Sequence, residues 1–111
     1  MAIFDEIHQV KYAVISADGG TDIQVAAVTG KAIVVLSYLM SAAGATVVKW
    51  QSKPSGAAVE LSGQGLALAA NGSVSAAYSP SGLLATASGA ALQLTLSAAE
   101  DVGGHLTYVE L

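Results

Sequence analysis

Apolar residues recur at every second position along this chain, and Gly-, Asn- or Pro-containing turns interrupt them every roughly 8–12 residues. That rhythm excludes a helical bundle and demands short strands. Leu92-Gln93-Leu94-Thr95-Leu96 shows it most plainly, with all three leucines on one face. Val74, Ala76 and Tyr78 share a side of their segment, and Thr46 to Gln51 sends Val48 and Trp50 inward with Lys49 and Gln51 outward. Ile23 to Val25 and His105 to Val109 follow the same rule. Lys11–Ala17, Val59–Leu61, Leu66–Ala69 and Leu83–Ser88 are weaker strand candidates. The turns fall at Asp18-Gly19-Gly20, Thr29-Gly30, Ala43-Gly44, Pro54-Ser55-Gly56, Asn71-Gly72, Pro80-Ser81-Gly82, Ser88-Gly89 and Gly103-Gly104. About eight short strands in 111 residues form one domain, an all-β sandwich, and a jelly roll uses eight strands in two sheets. No period of about 20–50 residues repeats, so a solenoid is not expected.

The segment Ala32 to Met40 departs from simple alternation because both of its faces are apolar. Strict alternation puts Ile33, Val35 and Leu39 on one face and Val34, Leu36, Tyr38 and Met40 on the other. The β-branched run Ile33-Val34-Val35 favours a strand over a helix. A strand apolar on both faces is covered on both. One cover is the opposite sheet; the other is a loop or a neighbouring subunit. Residues 1–10 differ again. Phe4, Ile7 and Val10 lie three apart with polar residues between them, as in a helical turn or an extended arm that either folds back onto its own sandwich or docks on a partner.

Charge is scarce. Only 11% of residues are charged, against about 25% in an average domain, and there is no Arg and no Cys. Four lysines and a net charge of -4 make no basic patch for nucleic acid. No apolar run approaches the ~18 residues of a membrane-spanning helix, and the opening Met-Ala-Ile-Phe-Asp-Glu has no basic leader region. Ala, Gly and Ser supply 46 residues, and such small side chains let sheets and subunits approach closely. So little charge leaves an apolar surface that is best covered by copies of the chain or by a larger assembly.

The residues of chemistry are sparse and badly spaced. His8 and His105 form no metal-ligand pair, and adjacent Glu100 and Asp101 point apart. Asp18-Gly-Gly-Thr-Asp22 offers two carboxylates, fewer than a calcium loop needs. No Gly-x-Ser-x-Gly occurs, and Gly63-Gln-Gly65 lacks the rest of a dinucleotide fingerprint. No enzyme activity, cofactor, metal or small-molecule substrate is expected. Trp50 and Tyr78 could form an aromatic platform for a sugar, but Trp50 shares its face with Val48, which places it in the core.

Taken together, several segments resemble the capsid decoration, or cement, proteins of tailed bacteriophages. These are Lys11-Tyr-Ala-Val-Ile-Ser-Ala17, Val25-Ala-Ala-Val-Thr-Gly-Lys-Ala-Ile-Val-Val-Leu36, Leu66-Ala-Leu-Ala-Ala-Asn-Gly72, Tyr78-Ser-Pro-Ser-Gly82 and the stretch from Leu94 to Tyr108. The resemblance covers residues 11–111 and implies a jelly-roll β-sandwich domain preceded by an N-terminal arm, residues 1–10. It further implies a homotrimer on the outer surface of the virion that bridges neighbouring capsomers of the major capsid protein. Phe4, Ile7 and Val10 are then the expected capsid contacts, and from the doubly apolar strand Val34, Leu36, Tyr38 and Met40, or whichever face of it the sandwich leaves open, are the expected subunit contacts. A head-fibre or receptor- and glycan-binding module of the same fold is the alternative.

Overall fold

The computed structural model describes residues 9–111 and shows ten antiparallel strands in two facing sheets. The strands are β1 (Lys11–Ala17), β2 (Thr21–Val25), β3 (Ile33–Ala42), β4 (Thr46–Lys53), β5 (Val59–Glu60), β6 (Leu66–Leu68), β7 (Ser73–Ala76), β8 (Leu84–Ala85), β9 (Ala91–Leu96) and β10 (Val102–Glu110). The first sheet runs β1-β10-β3-β7, with β8 also on β3. The second runs β2-β9-β4-β5, with β6 also on β4. Because β5 and β6 share one flank of β4, and β7 and β8 one flank of β3, the ten strands fill eight positions. The chain crosses between the sheets at every step except from β4 to β5 and β6 and from β7 to β8, in the double Greek-key order of a jelly roll. Gln9 and Val10 precede β1 without regular structure.

The core lies between the sheets. Ile15, Ile33, Val35, Met40 and Leu106 from the first sheet meet Val48, Trp50, Leu92, Leu94 and Leu96 from the second. Tyr38 closes on Trp50 edge to face, with ring centroids 5.4 Å apart and planes at 61°, a geometry the ring quadrupoles favour.

Strict alternation fails in β3, and a bulge is the reason. Ser37 pairs with Thr107 and Val35 with Tyr108, so Leu36 is an extra residue opposite no partner. An inserted residue reverses which face the later side chains occupy. Before the bulge, Ile33 and Val35 face the core and Val34 and Leu36 the outside; after it, Tyr38 and Met40 face the core and Leu39 the outside. Val34 and Leu36 are nonetheless buried, joining Val109 and Val10 in a second, smaller cluster. A loop within the chain helps to cover this cluster. Between β7 and β8, residues 77–83 run along the flank of β3, with Ser79 N–H donating to the Leu36 carbonyl at 2.8 Å and Leu83 N–H to that of Val35 at 2.7 Å. Gly82 lies so close that a Cβ there would sit 2.6 Å from Val34 Cγ1, and its φ of +91° also favours glycine. Leu36→Ala should therefore cost about 2–5 kcal/mol of stability in chemical denaturation, as a buried core leucine does.

Candidate interaction surface

The outer faces of the two sheets differ in kind. On the second sheet, a chain of side-chain hydrogen bonds runs across the strands. Gln93 Nε2 donates to Gln51 Oε1 at 2.6 Å, and Gln51 Nε2 donates to Glu60 Oε2 at 2.8 Å. Thr21 and Thr95 share a hydroxyl contact at 2.9 Å, and Lys53 Nζ reaches the Gly56 carbonyl. Polar groups there satisfy one another.

The outer face of the first sheet is open and poor in charge, with three exposed apolar side chains, Tyr12, Val14 and Leu39, among serines, Thr107 and His105. Phase in β1 sends Ala13, Ile15 and Ala17 toward the core and leaves Tyr12 and Val14 outside, at 76% and 68% exposure. Cross-strand register aligns Val14, His105, Leu39 and Ser75 in one row and Tyr12, Thr107 and Ser37 in the next. Leu39 is 43% exposed, and His105 and Ser75 are exposed beside it. Ser37 and Thr107 are joined by a 2.6 Å hydroxyl contact, which leaves the face flat and poor in charge. At its margin Lys11 Nζ pairs with Glu110 Oε1 at 3.1 Å.

The edges of the sheets also matter. At the edge of the second sheet β2 carries a bulge at Gln24, since Ile23 pairs with Gln93 and Val25 with Leu92. The bulge turns Gln24 toward β1, where its Oε1 accepts from Ser16 N–H at 2.8 Å and its Nε2 donates to the Ser16 carbonyl at 3.1 Å. One carboxamide thus stands in for a neighbouring strand at Ser16.

The residues singled out from sequence fall in several places. Phe4 and Ile7 lie outside the described residues, while Val10 packs on Val34, Leu36 and Val109. Leu36 and Met40 are fully enclosed by their own chain, Val34 nearly so, and Tyr38 packs partly buried against the main core. Leu39, on the same outer side of β3 as Val34 and Leu36 but beyond the bulge, is the large apolar residue of this strand left exposed. The exposure of Val14 went unread in the sequence; it follows from the inward phase of Ala13 and Ile15. Trp50 is fully buried and Tyr78 is exposed, so the two form no joint platform for a sugar. His105, the only histidine among the described residues, stands on the open face. Among those residues no pocket forms and no three His, Asp or Glu side chains converge as metal ligands would. Asp22 turns inward opposite Leu94, and its Oδ2 has no hydrogen-bond partner among the described residues.

No protein family model matches the chain, and no curated protein or solved structure does either.

Proposed function

We propose that this chain is a structural virion protein that binds the outer surface of a tailed-phage capsid as a trimer and stabilises the shell by bridging capsomers. The observation that carries this reading is the flat, nearly uncharged outer face of the first sheet, where Tyr12, Val14 and Leu39 stand open. A flat face with exposed apolar side chains and little charge fits contact with another macromolecule better than turnover of a small one. The jelly-roll strand order agrees with the resemblance drawn from the sequence.

In this reading the arm, residues 1–10, attaches to the major capsid protein through Phe4 and Ile7. Val10 anchors its root on the Val34–Leu36–Val109 cluster. Subunits meet around Leu39 rather than through enclosed Leu36 and Met40. A protein that binds only the assembled shell stabilises it by RT ln(1 + [L]/Kd) per site, where L is the protein. Three linked copies add avidity without strong single contacts.

Two measurements test the reading. Light scattering coupled to size-exclusion chromatography should return three times the 11.0 kDa chain mass or a whole multiple of that trimer mass. Removing residues 1–8, which spares Val10, should abolish cosedimentation with expanded heads of the encoding phage while the circular dichroism spectrum stays unchanged. Binding that survives this deletion removes the arm from the mechanism, and a chain that never sediments with heads removes the capsid reading itself.

A further inference from the structure

We infer that the free edge of β1 is a self-pairing site, at which a second copy of this chain adds its own β1 antiparallel about a two-fold axis. The inference goes beyond the capsid reading and does not depend on it. It starts from the in-plane direction of the peptide groups. Ser16 turns both its N–H and its carbonyl away from β10, because both are held by Gln24. Alternate residues of a strand point their peptide groups the same way. Tyr12 and Val14 therefore also direct N–H and carbonyl outward, and among the described residues no strand pairs with that edge. These two residues expose side chain and backbone together.

Natural sheets protect their edges with short strands, bulges, proline or inward charge. The other edges here follow that rule. β5, β6, β7 and β8 are two to four residues long, and β2 carries the Gln24 bulge. β1 is seven residues long and regular through its pairing with β10, and it has no proline. Its one charged residue, Lys11, lies at the end and is paired with Glu110.

The exposed stretch is also complementary to itself. With the two-fold axis at Ala13, Tyr12 of one copy faces Val14 of the partner copy, and Val14 faces Tyr12. Each of these two residue pairs exchanges both N–H···O bonds, giving four across the junction. The two alanines meet at the centre, where small side chains let the backbones close. No like charges oppose each other, because Lys11 falls opposite Ile15 of the partner copy. Tyr12 and Val14 side chains from both copies then merge into one apolar patch on the outer face, and Gln24 ends the ladder at Ser16. A two-fold, isologous contact of this kind is the commonest way for a chain to associate with itself.

Val14→Pro tests the inference with little cost to the fold, since the lost N–H points away from β10 and proline is tolerated on an outer edge. Wild-type protein should show an even multiple of the 11.0 kDa chain mass by light scattering, and Val14→Pro should halve it. Tyr12→Lys, which places a charge on the edge, should act the same way. A monomer, a trimer or any odd-numbered assembly overturns the pairing, and so does an even-numbered mass that both variants leave unchanged. A trimer insensitive to the variants leaves the capsid reading standing, whereas an even assembly not built from threes leaves the pairing standing without the trimer. Should neither variant fold, amide exchange in the wild type decides. Tyr12 and Val14 amides protected like those of β10 support the pairing, and exchange at exposed-loop rates overturns it.

Discussion

Trp50→Ala is expected to lower the unfolding free energy by about 3–5 kcal/mol, enough to unfold most of the population of a marginal domain. Trp50 is the largest of the fully buried side chains and lies among Leu92, Leu94 and Val48 from its own sheet and Met40 and Leu106 from the other. It also supplies the face on which the Tyr38 ring rests. Truncation removes these contacts and leaves a cavity that two hydrogen-bonded sheets cannot collapse to fill. Trp50→Phe should cost distinctly less. The indole Nε1 has no hydrogen-bond partner among the described residues, so the smaller ring gives up volume but no polar contact. Urea titrations of the two variants check the order. Equal losses would show that a specific indole contact, rather than filled volume, sets the contribution of this residue.

Gly104→Ala is the second large effect. β10 passes β3 so closely at this point that a Cβ on Gly104 would lie 1.9 Å from the Leu39 carbonyl oxygen and 2.8 Å from Met40 Cα. Both obstacles are backbone, so no side chain can swing aside. The φ of +156° adds strain for any residue with a side chain. Strain and forced displacement together should cost about 2–6 kcal/mol. Gly103→Ala is the matched control. Its added Cβ meets nothing nearer than the Ile15 carbonyl oxygen at 3.9 Å, and the change should stay within about 0.5 kcal/mol. Thermal melts of the pair give the comparison directly. A Gly104→Ala protein as stable as Gly103→Ala would mean that β3 and β10 are free to separate here.

Much of the architecture was legible because size and phase agreed in most strands. In β9 and β4 the large apolar residues point inward and polar ones outward, so alternation alone oriented Val48, Trp50, Leu92 and Leu94. The Asn71-Gly72 and Pro80-Ser81-Gly82 turns were equally plain; Asn71 adopts a φ of 60°, and Gly82 lies in the same half of the map. β1 read weakly for a physical reason. It points Ala13 and Ala17 inward and Tyr12 and Val14 outward, which inverts the usual placement of large and small residues. The bulge in β3 was invisible because both phases of Ile33 to Met40 are apolar, and a slip of one residue then leaves no trace in the pattern. Its second cover could be narrowed only to a loop or a subunit, and the loop at 77–83 supplies part of it. What the open face of the first sheet meets depends on a partner's surface, which no pattern in this chain encodes.

The place of β10 between β1 and β3 has a consequence for biosynthesis. Lys11 and Glu110, 99 positions apart, must find each other before the first sheet has a middle. Until Val102–Glu110 has emerged from the ribosome, β1 has no partner strand and one flank of β3 stands bare. The first sheet therefore cannot close until β10, the last of the ten strands in chain order, has emerged and docked. Long-range closure of this kind is slow and leaves apolar strands uncovered in the interval, so yield in the cell should depend on chaperone supply and growth temperature more steeply than the stability of the finished sandwich suggests.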